Sequence, residues 1–93
     1  MRLVFDINVA GLARWARRRL ELLGVKVEVT PYRADFQIEK YVRLLAREER
    51  VFLVTTDEDF LMLEREGLAI VLPQPLKYEK ALTAIIRRVF GGR

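Results

Sequence analysis

Ninety-three residues, about half of them apolar (52%) and a third charged (32%), suit one globular domain, residues 1–93, with a single modest core, and exclude a disordered chain. With no Cys and no His, disulfides, thiolate zinc sites, Ser-His-Asp triads and imidazole acid–base chemistry are excluded, so any metal must sit among oxygen ligands. The net charge of +4, with Arg14, Arg17, Arg18 and Arg19 close together, points to an anionic partner, of which nucleic acid is the commonest.

Taken in chain order, strand-like and helix-like runs alternate. Arg2 to Phe5 is an apolar strand, and Val9 to Leu23 carries apolar residues at 9, 12, 13, 16, 20 and 23, a helical stripe stopped by Gly24. Val25 to Val29 alternates as a second strand, followed by the loop "TPYRADF". Ile38, Tyr41, Val42 and Leu45 mark a second amphipathic helix, and Val51 to Thr55 a fully apolar third strand. A short helix runs from Asp59 to Gly67, Leu68 to Leu72 is a fourth strand, and "PQP" opens a final helix with apolar positions 78, 81, 82, 85, 86 and 89. Continuous apolar strands separated by helices predict a parallel sheet covered on both faces. The expected architecture is a three-layer α/β/α sandwich with a four-stranded sheet of order 2-1-3-4, whose ligands bind beyond the carboxyl ends of strands 1 and 3.

The four aspartates concentrate where that fold places a site. Asp6 ends the first strand, and Asp57 and Asp59 follow the third in "VTTDEDF". Asp35 and Glu39, one turn apart on the second helix, fall on or beside its apolar stripe and so face the sheet. Convergent carboxylates repel one another unless a hard divalent cation sits among them, which predicts Mg²⁺ or Mn²⁺. Carboxylate-held metal beside a basic surface suits phosphodiester hydrolysis, with arginines on the phosphate backbone. Arg14, Arg17 and Arg18 are the candidates for that RNA-facing surface.

Each residue also has a structural alternative. Thr55 with Glu58, or Thr56 with Asp59, fits a capping box, and Asp35 fits a helix N-cap. Asn8 reads either as the hydrogen-bonding neighbour of Asp6 or as the N-cap of the first helix. Glu39 reads as a surface glutamate, Trp15 as packing, and Arg19, lying in the apolar stripe, as snorkelling or paired with an acid. The absence of serine, with only three Asn and Gln residues, points to a thermophilic source. No apolar run reaches the length of a bilayer span and the N-terminus lacks a signal-peptide layout, so the chain is read as a soluble cytoplasmic protein without a membrane partner.

Two stretches carry a resemblance. "VFDINVAGLARWAR" resembles the opening of PIN-like ribonuclease domains of the Mut-seven C-terminal type, where a strand-end Asp precedes a Gly-Leu-Ala-Arg-Trp helix. "EKYVRLLAREERVFLVTTDEDF" resembles their second signature, an acid opening a helix and a strand ending in Thr-x-Asp. The likeness covers roughly residues 2 to 72. It implies a PIN-like fold and a Mg²⁺- or Mn²⁺-dependent endoribonuclease, in a superfamily that includes the VapC-like toxins, with RNA, an antitoxin or other protein partner, or a homodimer as associations. Carried over, Asp6 matches the first catalytic metal acid, Asp57 the last, and Asp59 an accessory acid. The acid on the second helix is Glu39 by ungapped spacing, or Asp35 if a small insertion is allowed. The first helix is about one turn longer than in those domains, and no zinc ribbon of paired Cys follows.

The leading expectation is therefore a metal-dependent, toxin-like or RNA-processing endoribonuclease. Its main rival is a catalytically degenerate PIN-like module that binds RNA or a protein. A phosphoacceptor receiver-like reading fails for want of a fifth strand and of a lysine directly before a proline at its end.

Overall fold

The computed structural model describes residues 1–91. Four strands, β1 (Arg2–Phe5), β2 (Lys26–Val29), β3 (Val51–Thr55) and β4 (Ala69–Val71), alternate with the helices α1 (Ala10–Leu22), α2 (Asp35–Leu45), α3 (Leu61–Arg65) and α4 (Tyr78–Phe90). All strand pairs are parallel and the order is β2-β1-β3-β4, the α/β architecture expected from the sequence.

Alternation along the strands builds the two cores, because successive side chains leave a strand on opposite faces. Leu3, Phe5, Val27, Phe52, Val54 and Ile70 point to one side and are covered by α1 and α4 through Leu12, Ala16, Leu20, Leu82, Ile85 and Val89. Val4, Val51, Leu53 and Ala69 point to the other, against Ile38 and Val42 of α2 and Leu63 of α3. Every residue of β3 is buried, which is why that strand reads as an unbroken apolar run.

Helix termination follows local chemistry. Gly24 and Gly67 take positive φ (87° and 82°) and close α1 and α3 with paired backbone bonds, Gly24 to Glu21 and Val25 to Leu20 in one, Gly67 to Glu64 and Leu68 to Leu63 in the other. These are Schellman closures, which glycine enters without steric cost.

Several boundaries differ from the sequence reading: β2 and β4 are shorter, and the short helix expected from Asp59 is a 3-10 turn, Glu58–Phe60, followed by α3 from Leu61. The first helix is preceded by a separate 3-10 turn, Ile7–Val9, that carries the chain off the sheet. The last helix begins at Tyr78, with Lys77 at its N-cap position, so the Pro-Gln-Pro run is a loop. Pro73 and Pro75 hold the residues before them out of helical geometry.

On each outer strand, side chains engage some of the outward backbone groups. On β2 the Lys26 and Thr30 N–H groups donate to β1 and its N-terminal neighbour Met1, so Val27 faces outward; its carbonyl accepts from Arg17 at 2.8 Å. On β4, Val71 donates outward to Glu64 at 2.8 Å, while the Ala69 carbonyl accepts from Arg88 at 3.4 Å. No described helix is long and apolar enough to cross a membrane.

Candidate metal centre

After β1 the chain leaves toward the α1 face, and after β3 toward the α3 face, which opens a crevice beyond the carboxyl ends of these neighbouring strands. The Asp6 backbone N–H still donates to Val54 at 2.9 Å, so the residue remains in the ladder as its side chain reaches the crevice. The residue is only 9% exposed. Burial of a carboxylate requires hydrogen-bond donors, and Asp6 has two: Oδ1 accepts the Ile7 N–H at 2.7 Å and Oδ2 accepts the Thr55 hydroxyl at 2.8 Å.

Thr55 is fully buried. Its oxygen also accepts the Asp57 backbone N–H at 3.0 Å, and Asp57 Oδ1 accepts the Asp59 N–H at 2.9 Å. One chain of hydrogen bonds thus runs from the end of β1, through the end of β3, into the following 3-10 turn, Glu58–Phe60. Asp57 is the cap of that turn. The capping boxes from Thr55 to Glu58 and Thr56 to Asp59 are replaced by this arrangement, since the Thr55 hydroxyl turns inward to Asp6.

The third element is α2, which starts beside this turn. Asp35, Asp57 and Asp59 each place a carboxylate oxygen so that the three lie within 4.8 Å of one another. Asp35 is the first residue of α2 and the N-cap position is Ala34, so the N-cap expectation for Asp35 is corrected: its carboxyl joins the acids. Its pKa is raised, first by loss of water around the carboxyl, then by the charges of Asp57, Asp59 and Asp6, and by a hydrogen bond shared with Asp59. The residue as a whole is exposed. All the donors are hard oxygens, matching Mg²⁺ or Mn²⁺ rather than a thiophilic metal.

Asp6 and Glu39 stand outside the group, so the expectation of Asp6 as a metal acid is corrected: its two oxygens are taken by the Ile7 N–H and the Thr55 hydroxyl. Glu39 is placed by a different cause. It pairs with Arg43 at 2.9 Å, and Arg43 makes a two-pronged bond to Glu66 of the α3 terminus. One turn of helix carries Glu39 away from the crevice while Asp35, at the helix start, reaches it. Asn8 takes neither of its expected roles: Asp6 bonds to Ile7 and Thr55, and the N-cap position of α1 is Val9.

Among the arginines of α1, Arg14 and Arg18 are exposed. Arg17 binds the Val27 carbonyl and pairs with Glu21 at 3.5 Å, so it secures the sheet edge. Arg19 is exposed and lies over the Trp15 ring, 4.6 Å from its centroid, a cation–π contact; of the two expectations, snorkelling or an acid partner, the second is not met. Trp15 packs in turn against Tyr78, the ring centroids 5.4 Å apart. The residue the sequence reading undervalued is Thr55. Its signal was a hydroxyl at the last position of an otherwise wholly apolar strand, two residues before an aspartate.

Comparison of the chain with protein-family models, with curated proteins and with solved structures finds no match to any of them.

Proposed function

We propose that this protein is a metal-dependent endoribonuclease of PIN-like type, hydrolysing RNA phosphodiesters at the Asp6, Asp35, Asp57 and Asp59 crevice. The observation that carries the reading is the convergence of three carboxylate oxygens within 4.8 Å, beside a buried fourth acid, at the crevice where a parallel sheet places its ligands. Asp35, Asp57 and Asp59 would hold Mg²⁺ or Mn²⁺, which supplies a bound water of lowered pKa and neutralises charge on the phosphate. Asp6, anchored by Thr55 and Ile7, sets the negative field behind them. Arg14 and Arg18 give the exposed positive charge that draws a polyanion.

The test is a crystal soaked in Mn²⁺ and read by anomalous scattering, together with cleavage of single-stranded RNA with and without Mn²⁺. The expected result is a peak bounded by Asp35, Asp57 and Asp59, with cleavage that Asp57→Asn abolishes. A crystal with no peak there and RNA left intact would overturn the proposal.

One observation favours a second reading, a non-catalytic module binding RNA or a protein. Both Asp6 oxygens are already engaged by donors within the protein, as in a centre built for structure. A metal peak without any cleavage would select that reading.

A further inference from the structure

Beyond the carboxyl end of β4 there is a second concavity, separate from the acids. The loop after β4 and the first turns of α4 enclose about 340 Å³, toward the lower end of the range for pockets that hold small organic ligands. Leu72, Leu76 and Ala84 form its apolar floor, and Pro73 and Pro75 stand at its side. Leu72 is buried, and Leu76 and Ala84 are half-buried, so the floor is part of the folded core and already shaped. Lys77 and Lys80 border it, both exposed, and Gln74 adds an amide; among the described residues no acid lines it.

These features define the chemistry of an occupant. An apolar floor takes a flat, weakly polar body, the Gln74 amide can donate to and accept from its edge, and two lysines in a lining without an acid, with Glu79 beside Lys80 turned to the adjoining groove, favour an anion. A nucleotide has all three parts. The position agrees: β4 pairs with β3, neighbouring strands lie about 4.8 Å apart, and the acids stand at the ends of β1 and β3. The pocket opens beyond the same end of the sheet, on the side covered by α1 and α4, whereas α2, which carries Asp35, covers the other side.

We propose that this cavity is a nucleotide subsite, in which a base lies on Leu72, Leu76 and Ala84 while Lys77 and Lys80 hold its phosphate. Its assignment to the nucleotide flanking the cleaved bond rests on the nuclease reading above; nucleotide binding as such does not.

The experiment uses the full chain carrying Asp57→Asn, in chelator and without divalent metal. Amide shifts are followed by NMR on adding UMP, AMP or hexanoate, and the affinity for a fluorescent single-stranded RNA octamer is measured by anisotropy. The expected result is shifts confined to residues 72–84 with the nucleotides and not with hexanoate, and RNA binding weakened at least tenfold by Ala84→Leu and by Lys77→Glu with Lys80→Glu. The charge variant alters only exposed side chains, so it serves even where the Ala84 variant fails to fold. Shifts elsewhere, an equal response to hexanoate, or RNA affinity within twofold in the charge variant would overturn the subsite. Failure of the two readings is separable: Mn²⁺-dependent cleavage by wild type with unchanged variant affinities removes the pocket alone, whereas pocket shifts without any cleavage by wild type remove the nuclease alone.

Discussion

The Thr55 hydroxyl donates to Asp6 across the β1–β3 pair at 2.8 Å, and the same oxygen accepts the Asp57 N–H at 3.0 Å. A single buried side chain therefore sets the position of two acids from separate strands. Thr55→Val keeps the shape but leaves Asp6 Oδ2 and the Asp57 N–H without this partner, and an unsatisfied buried group costs about 1–3 kcal/mol. The expected outcome is a destabilisation of that order in urea unfolding, with a weaker Mn²⁺ response. Thr55→Ser, which keeps the hydroxyl, recovers most of the metal response; equal loss in both variants would show that packing, not the hydrogen bond, is what matters.

The raised pKa of Asp35 has a definite pH signature. A carboxyl whose folded pKa lies above its unfolded value binds its proton more tightly in the folded state. The stability this gives is fully present below the ordinary carboxyl value of 3.8 and is lost as pH rises through the higher folded value. In metal-free buffer, Asp35→Asn is expected to melt at a higher temperature than wild type at neutral pH, with the gap closing below about pH 4. Melting curves across that range decide it, and a gap of constant size would contradict the repulsion among the acids.

Metal binding should reverse that ordering. A ligand specific to the folded state at a hundredfold excess over its Kd adds about 2.7 kcal/mol, and each kcal/mol raises the Tm of a domain this size by about 4–8 °C. Mn²⁺ is expected to raise the Tm of wild type and of Glu39→Gln alike, and to have little effect on Asp35→Asn. A metal response lost in Glu39→Gln and kept in Asp35→Asn would return the second-helix acid to Glu39.

The proposed RNA contacts give a salt-dependence test. Each phosphate contact on a single strand contributes about 0.7 to the slope of log affinity against log salt. Neutralising Arg14 and Arg18 to Gln should lower that slope by about 1.4 in all if both touch phosphate. Arg17→Gln should instead act on stability, because its guanidinium is spent on the Val27 carbonyl and Glu21; a slope change from Arg17→Gln matching the other two would show that it reaches RNA.

The fold was legible because periodicity carries it. The apolar run Val51–Thr55, the helical stripe of α1 and the two stop glycines each state their own local structure, and parallel pairing follows from their alternation. That the ends of β1 and β3 lie side by side was legible too, since topology alone pairs them; that Asp6 would be turned to Ile7 and Thr55 instead of joining Asp57 and Asp59 was not. The choice between Asp35 and Glu39 was not, because it depends on where α2 begins to within one turn, and no residue before Asp35 marks that start: Ala34 occupies the N-cap without a side-chain bond. Ion pairing was equally hidden. Arg43 draws Glu39 toward Glu66, 27 positions along, through a tertiary contact that helical spacing does not encode.

The side chains on the two outer strands have a consequence for assembly. An unguarded edge of a sheet is a template for another chain to extend it, and proteins blunt such edges with charged groups. Here Arg17 sits on the Val27 carbonyl, and the Arg88 and Glu64 side chains, themselves 3.6 Å apart, sit on Ala69 and Val71. At these positions a newcomer strand would have to displace an ion-paired side chain before gaining a backbone bond. Recognition of this molecule by other proteins is thereby steered to side chains on helices and loops, and continuous β-stacking between copies is disfavoured.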